Sequence, residues 1–260
     1  MRHAWLRLWL AEDMFRMNHL SLLYRVVLAG VLAGAALSVT QAGELPVAPF
    51  VARYEVYASG FALGEAVMRL DATGAQGYTM RSDVRPSGLA TLVAGQIQEQ
   101  VSGEIRDHQV RPLHYQRQTE TGKRAGTLQL DFDWSAGRIQ ARDHETQVEL
   151  PLTPGVLDPL SLNLAVMIDL QRGQLPEQYT LIDATRIKTY QIRTLGEEWL
   201  DTPLGRLRTV RINQYTPGKS RNTTFWFAPD QHYLPVRVAQ HKNDKEELRM
   251  EIRAIERSSR

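Results

Sequence analysis

Residues 157–173, LDPLSLNLAVMIDLQRG, are the segment that most constrains the fold, because they have the pattern of a helix in a chain whose other segments resemble strands. Asp158 followed by Pro159 is a typical helix start, in which the carboxylate accepts hydrogen bonds from free amides and the proline presets the backbone. Apolar side chains surround almost the whole segment, so the helix is predicted to be buried on more than one side. At about 14 residues it is too short to span a bilayer. The polar positions that remain are Ser161, Asn163 and Asp169.

Most of the remaining chain alternates polar and apolar residues. The clearest case is residues 128–134, LQLDFDW, in which every second residue is apolar. This period of two is typical of an antiparallel strand with one buried face. Similar stretches recur between turn signals spaced about 8 to 12 residues apart, as in all-β domains. One of them, residues 187–195, is predicted to be a strand that ends before a break at residues 201–203.

The number of predicted strands indicates the architecture. About a dozen strands in one open sheet would curl strongly. We therefore predict a mainly β fold with one large curved antiparallel sheet, forming a half-open or a closed barrel. The helix is expected to be a buried plug on the inner face of this sheet. Residues 89–95 interrupt the strand pattern and are expected to form either one helical turn or an exposed hydrophobic loop.

The first 42 residues have the features of an export signal. Arg25 precedes the apolar run of residues 26–39, and Thr40 and Ala42 are small residues at the positions that a signal peptidase reads. We predict cleavage after Ala42, which leaves residues 43–260 as a single periplasmic domain. The 25 residues before the apolar run are long for such a signal, so translation is suspected to begin at Met17. The alternative is an uncleaved membrane anchor, although the apolar run is shorter than the ~20 residues that a spanning helix needs.

The charge balance argues against nucleic acid as a partner. The chain has 31 basic and 29 acidic residues, of which residues 1–42 contain four arginines and two acids. The remaining 218 residues therefore contain 27 of each sign. A formally neutral domain has no long-range field that would draw it to phosphates, on which nucleic-acid binding depends. We expect no nucleic-acid partner.

Cysteine does not occur in the sequence. Disulfides, thiolate catalysis and cysteine-based zinc sites are therefore excluded as explanations of its stability or activity. A bacterial lipoprotein needs a cysteine that is lipidated at its cleavage site. The exported product is therefore expected not to be a lipoprotein.

Residues able to bind a metal or perform catalysis are present, but not in a recognised arrangement. The histidines beyond residue 42 form no H-x-H or H-E-x-x-H pair, and no G-x-S-x-G motif holds a serine nucleophile. Asp131 and Asp133 are better explained as the polar face of a strand, and residues 216–220 lack the first glycine of a phosphate-binding loop. We expect no metal, no cofactor, no catalytic residue and no enzymatic activity. The histidines concerned are His108, His114, His144, His232 and His241.

Residues 225–227, Phe-Trp-Phe, place large apolar side chains on both faces of a predicted strand. Both faces can be covered only if something packs against each of them. One interpretation is ordinary core packing, and the other is an apolar cavity between sheet and helix that binds an apolar ligand. The expected cavity-lining residues are Leu160, Leu164, Met167, Ile168, Phe225, Trp226 and Phe227.

A basic cluster lies on adjacent predicted strands within sixteen residues. It is either an anion-binding patch for lipid headgroups or polysaccharide, or a solvated face balanced by neighbouring acids. Arg208 and Arg211 are predicted to point to opposite faces, which argues against a single stripe. The cluster consists of Arg206, Arg208, Arg211, Lys219 and Arg221.

Three groups of residues together resemble a known family. They are TFWFAPD with YLPVR at residues 224–237, YEVY with GEA at residues 54–66, and DPLS at residues 158–161. With these, residues 48–256 resemble the bacterial exported family called domain of unknown function 3108. That family has no established activity and supplies no catalytic residue. More remotely, the expected sheet and plug are similar to the periplasmic lipoprotein carriers LolA and LolB, a likeness that implies a half-open barrel holding acyl chains.

The export signal, the apolar helix and the two-sided aromatic strand together predict a periplasmic, non-enzymatic binding or chaperone-like protein. Its ligand would be a lipid, an acyl chain or another amphipath of the cell envelope. An alternative is an envelope scaffold whose apolar patch at residues 89–93 docks a protein partner. A hydrolase of envelope polymer is a third hypothesis, since carboxylates or histidines distant in sequence can converge in one cleft.

Overall fold

A computed structural model describes residues 45–92, 94–121 and 125–257. All of them belong to one compact unit, Glu44–Arg260. The predicted export signal, with its cleavage after Ala42 and the suspected start at Met17, lies outside the described residues. Among the described residues, no helix combines the length and the apolar character needed to cross a bilayer.

Within these residues, fifteen strands and one α-helix are found. Short 3-10 turns occur at Gly88–Leu92 and Pro229–Gln231. The first of these agrees with the helical turn that was one of two expectations for residues 89–95. The elements are β1 Phe50–Ala58, β2 Phe61–Ala72, β3 Gly77–Pro86, β4 Ile97–Arg106, β5 Gln109–Thr119, β6 Gly126–Asp133, β7 Arg138–Asp143, β8 Thr146–Pro151, β9 Val156–Leu157, α1 Pro159–Gln171, β10 Gln178–Asp183, β11 Arg186–Thr202, β12 Gly205–Tyr215, β13 Arg221–Ala228, β14 Leu234–Lys242 and β15 Lys245–Arg257.

All described strands belong to one sheet. Its order runs from β8 down to β1 and then from β15 down to β9. The first strand, β1, therefore pairs with the last strand, β15. Neighbouring strands are antiparallel except for β9 and β10, which are parallel. The two edges, β8 and β9, are not paired with each other in the described residues, so the sheet is open. The mainly β fold is confirmed. Of the two expected forms, a half-open and a closed barrel, the described residues form the open one.

The helix α1 lies against the sheet as predicted. It packs on β3, β4 and β5 in one half of the sheet order and on β10 near the other edge. The sheet therefore curves around the helix, and Leu164 and Met167 are completely buried between them. The start follows its sequence signals, since the Asp158 carboxylate accepts hydrogen bonds from the amides of Leu160 and Ser161, both at 2.9 Å. The prediction of a buried plug is confirmed.

The alternation predicted for residues 128–134 is also present. Leu128, Leu130 and Phe132 of β6 are buried, while the side chains between them are partly exposed. Asp131 and Asp133 therefore lie on the polar face, as the pattern indicated. Asp133 accepts hydrogen bonds from Ser135 and from the backbone of Ala136, which fixes the turn to β7.

One strand is longer than predicted. β11 continues past residue 195 to Thr202 instead of stopping, because the pairing with β12 shifts register between Thr194 and Gly196. Gly196 has a φ of +94°, a conformation that glycine adopts at little cost. A bulge of this kind interrupts the alternation without ending the strand. The predicted strand end at residue 195 was wrong for this reason.

Candidate functional site

A small apolar hollow lies between α1 and strands β11, β12 and β13. The volume open to the centre of a water molecule is about 10 Å³, roughly the space that one water requires. We call this space the hollow. It is lined by Leu162, Asn163, Val166, Ile192, Ile212, Gln214, Phe225 and Phe227.

The periodicities of helix and strand explain which side chains meet there. Leu162 and Val166 are four residues apart and so share one side of the helix. Phe225 and Phe227 are two residues apart on β13 and so share one face of the strand. Their rings stack with centroids 5.8 Å apart and an interplanar angle of 18°. The hollow is therefore the space between one apolar side of α1 and a pair of stacked phenylalanines.

Trp226 lies elsewhere. It pairs across the sheet with Arg237 of β14, whose guanidinium lies 5.6 Å from the centroid of the indole ring. Because neighbouring side chains on a strand point to opposite faces, Trp226 points away from the side on which its two neighbours meet α1. The group that packs against Trp226 on the outer face of the sheet is thus the side chain of Arg237.

Other expected lining residues are core residues. Leu160, Leu164, Met167 and Ile168 are at most 3% exposed and belong to the main hydrophobic core. They are not among the residues that line the hollow. Phe225 and Phe227 do line it. Ligand contact by any of these residues stays a prediction.

Sequence reasoning missed the helix side that faces the hollow. Leu162 and Val166 were not selected because an almost uniformly apolar helix gives no signal for one side over another. The sequence signal that could have identified this side of the helix was Asn163, a polar residue adjacent to Leu162 and about one helical turn before Val166. Its side-chain amide lies 3.3 Å from the carbonyl of Pro159. With Gln214, it supplies the only polar side chains of the lining described here.

A polar cluster is buried beneath the start of α1, away from the hollow. The hydroxyls of Tyr78 and Ser161 are 2.7 Å apart. Burial raises the pKa of Asp158 to about 6, although hydrogen bonds from Ser161 and Leu160 act in the opposite direction. Burial also raises the pKa of Tyr78 well above its usual value. This cluster fixes the first turn of the helix to β3.

Two further ionisable groups lie next to this cluster. The hydroxyl of Tyr115 on β5 donates to Glu99 on β4 at 2.5 Å. Burial raises the pKa of Glu99, while the hydrogen bond from Tyr115 and the charge of Arg117 lower it. Burial and the charge of Glu99 both raise the pKa of Tyr115. The Tyr115–Glu99 hydrogen bond joins β5 to β4 under the helix.

Among the described residues, no three histidine, aspartate or glutamate side chains are grouped as a metal site would require.

The far end of α1 has its own polar contacts. Tyr179 of β10 donates to the carboxylate of Asp169 at 2.7 Å. The amide of Gln171 donates to the backbone carbonyl of His232 at 3.2 Å. Both ends of the helix are thus held by hydrogen bonds, whereas the side that faces the hollow is almost entirely apolar.

Three of the five residues in the predicted basic cluster are paired with acids. Arg208 lies 3.6 Å from Glu197, and Arg211 lies 3.0 Å from Glu198. Arg221 lies 2.7 Å from Glu247. These pairs fit the second of the two interpretations, a face whose charges are balanced by neighbouring acids.

The comparison with protein families identifies the chain. The family described as "Protein of unknown function (DUF3108)" matches residues 53–253. The chain belongs to the DUF3108 family. The resemblance found in the strand and helix motifs is thereby confirmed. None of the curated proteins matches this DUF3108 chain.

Solved structures with a similar fold are distant in sequence. A β-barrel-like protein of the DUF1849 family from Brucella abortus has a TM-score of 0.57 and 14% identity, covering 82% of this chain and 99% of that one. This likeness concerns the fold alone. A putative lipoprotein from Parabacteroides distasonis has a TM-score of 0.36 and 9% identity, covering 81% and 96%. A putative outer membrane lipoprotein-sorting protein domain from Vibrio parahaemolyticus has a TM-score of 0.23 and 7% identity, covering 84% and 88%.

Proposed function

We propose that this DUF3108 protein is a non-enzymatic binding or chaperone-like protein of the periplasm that holds the apolar part of a lipid in the hollow. The observation that carries the proposal is the composition of the lining, in which six apolar side chains accompany two neutral amides. Small-molecule sites combine an apolar wall with a few polar groups in this way. The periplasmic location is supported by the export signal predicted for residues 1–42.

Binding of an acyl chain requires the hollow to widen, since the space open to a water centre is about 10 Å³. The contacts of α1 favour movement on this side. Two directional hydrogen bonds hold the helix in place. One joins Ser161 to Tyr78, and the other joins Asp169 to Tyr179. Contacts across the hollow are apolar and non-directional, so an acyl chain can replace them without leaving a buried polar group unsatisfied.

The two amides provide a place for the polar end of the ligand. Asn163 is partly exposed, whereas Gln214 is 8% exposed. A neutral amide both donates and accepts hydrogen bonds. An amphipath would therefore place its acyl chain against the phenylalanines and its first polar group at the level of Asn163.

The test is native mass spectrometry of the protein mixed with palmitoyl lysophosphatidylglycerol. The wild-type protein should form a complex with one lipid. Ile212→Trp fills the hollow and should abolish the complex, while Gln147→Trp adds the same ring at an exposed position of β8 and should retain it. Absence of the wild-type complex, or equal binding by both variants, would contradict the proposal.

The scaffold and hydrolase hypotheses stay predictions. The scaffold patch at residues 89–93 includes Leu89, Leu92 and Val93, whose side chains lie outside the part of the chain described here. The buried Asp158 and the partly exposed Glu99 both lie beneath the start of α1 and do not line the hollow. Photocrosslinking in cells separates the hypotheses, because a scaffold gives a protein adduct from the patch, whereas a carrier gives a lipid adduct from the residues that line the hollow.

A further inference from the structure

The hairpin of β11 and β12 extends beyond the next strand. β11 pairs with β12 as far as Thr202 and Gly205, whereas the pairing of β12 with β13 begins at Val210. Residues 196–209 therefore form a two-stranded projection, which we call the arm. The bulge at Gly196, where the arm begins, changes its direction relative to the rest of the sheet.

The arm has one buried face and one exposed face. Leu200 is 4% exposed and Thr209 is completely buried, whereas the neighbouring Trp199 is 59% exposed. Leu204, in the turn at the tip, is 37% exposed. Among the side chains that the structure describes, the only other large hydrophobic one that is exposed is Phe61. Leu204 lies in the turn, and the pair of Trp199 with Arg208 is three pairs before the last pair of the hairpin, Thr202 with Gly205. Two of these three exposed hydrophobic residues thus lie in residues 199–206, which we call the tip of the arm.

A guanidinium accompanies the exposed ring. The Cζ atom of Arg206 lies 5.6 Å from the centroid of the Trp199 ring, within the range of a cation–π interaction. The next arginine along the same face, Arg208, lies 3.6 Å from Glu197. Tryptophan, leucine and arginine at one tip combine an apolar body with groups that hydrogen-bond to phosphate, the combination found where proteins meet the membrane interface.

We propose that the tip of the arm is an interfacial anchor that docks the protein on the surface of a phospholipid bilayer. Trp199 and Leu204 would enter the boundary between headgroups and acyl chains. Arg206, which pairs across the arm with the exposed Asp201, would lie at the level of the lipid headgroups. Shallow insertion of this kind needs a depth of only about 5–10 Å.

The size of the exposed patch favours a bilayer over a protein partner. A stable protein interface buries about 800 Å² on each side. One aromatic side chain supplies about 150–250 Å² when fully buried, and the tip has one aromatic ring and one leucine. A convex tip with so little apolar surface is sufficient for a fluid bilayer, which adapts to its shape, and insufficient for a flat protein surface.

The test is flotation of the protein, purified from the cell envelope with its N terminus determined by mass, on vesicles of equal parts phosphatidylethanolamine and phosphatidylglycerol. The wild-type protein should float, and the double change Trp199→Glu with Leu204→Glu should lower the bound fraction at least about tenfold. Phe61→Glu is the matched control. Phe61 is 74% exposed and follows β1, which runs in the same direction as β12, so it lies at the opposite end of the strands from the arm tip.

A second measurement locates the contact without a charged substitution. Lipids brominated along the acyl chain should quench the tryptophan fluorescence of a Trp226→Phe protein, which has no tryptophan between the hollow-lining phenylalanines of β13. Adding Trp199→Phe should remove most of this quenching. Equal flotation of the wild-type protein and the double variant, loss of flotation in Phe61→Glu, or quenching that survives Trp199→Phe would overturn the proposal. The anchor is independent of the hollow, so Ile212→Trp should still float.

Discussion

The hydroxyl of Tyr78 on β3 lies 2.7 Å from the hydroxyl of Ser161 on α1, and both side chains are completely buried. Near the other end of the helix, Tyr179 of β10 donates to Asp169 at 2.7 Å. Two tyrosines from different halves of the sheet order thus bind two of the polar positions on a mostly apolar helix. These contacts fix the orientation of α1, and with it the side that faces the hollow.

Removing one hydroxyl of the first pair should destabilise the protein more than removing both. Tyr78→Phe leaves the Ser161 hydroxyl buried without its partner, which costs about 1–3 kcal/mol of unfolding free energy. Adding Ser161→Ala should recover part of that loss, since it removes the hydroxyl that had lost its partner. Denaturant unfolding of the two single variants and the double variant measures the coupling, and strictly additive effects would contradict this role of the pair.

The raised pKa of Asp158 predicts a pH dependence of stability. Because burial raises this pKa from its ordinary value of 3.8 to about 6, the native state binds a proton more readily than the unfolded chain. The protonated carboxyl therefore favours folding at low pH, and this contribution is lost as pH rises through about 6. Asp158→Asn has no such titration, so relative to the wild-type protein it should gain about 2 kcal/mol between about pH 4 and about pH 7.5.

The matched variant for this experiment is Asp158→Ala. It also lacks the titrating group, but it removes the acceptor that caps the amides of Leu160 and Ser161. It should be less stable than Asp158→Asn by about 1 kcal/mol at every pH. Chemical denaturation across the pH range separates the two effects, and a difference between wild type and Asp158→Asn that is flat with pH would refute the buried titration.

Truncation of a core residue of α1 should be costly. Leu164 is completely buried, so Leu164→Ala should lower the unfolding free energy by about 2–5 kcal/mol through lost burial and a cavity. Leu204→Ala, at an exposed turn, should change it by no more than about 0.5 kcal/mol. Thermal and urea unfolding report both values. Similar effects at the two positions would mean that the helix is not packed as described.

A charge placed in the hollow should weaken lipid binding. Asn163→Asp changes one atom of the lining residue but introduces an anion beside the apolar wall, where an acyl chain would exclude its water. The affinity for palmitoyl lysophosphatidylglycerol should fall by about tenfold or more. Gln178→Glu adds the same charge at an exposed position of β10 and should leave the affinity unchanged in the same titration.

The sequence predicted features whose determinants are local. Asp158 and Pro159 start the helix by hydrogen bonds and backbone geometry within one turn, so residues 158–161 were sufficient to place that start. The alternation in residues 128–134 likewise identified the buried face of β6. These signals depend on neighbours a few residues apart and do not require knowledge of the sheet order.

Which side of α1 faces the hollow is determined by contacts with residues that are distant in the sequence. Leu162 and Val166 face β11 to β13 because Tyr78 and Tyr179 bind the polar positions of the helix, and these tyrosines are separated from each other by about a hundred residues. An apolar pattern around the whole helix does not indicate which side of the helix faces the hollow. The bulge at Gly196 was missed for a related reason, since one glycine interrupts the alternation whether a strand ends or bends.

The most direct test of a lipid site in the hollow is photocrosslinking with a palmitic acid analogue that has a diazirine near its methyl end, followed by peptide mapping. The account predicts adducts on residues 162–166 of α1 and on residues 225–227 of β13, and their loss in Ile212→Trp. Adducts confined to exposed residues such as Phe61, or labelling that is unchanged in Ile212→Trp, would contradict it.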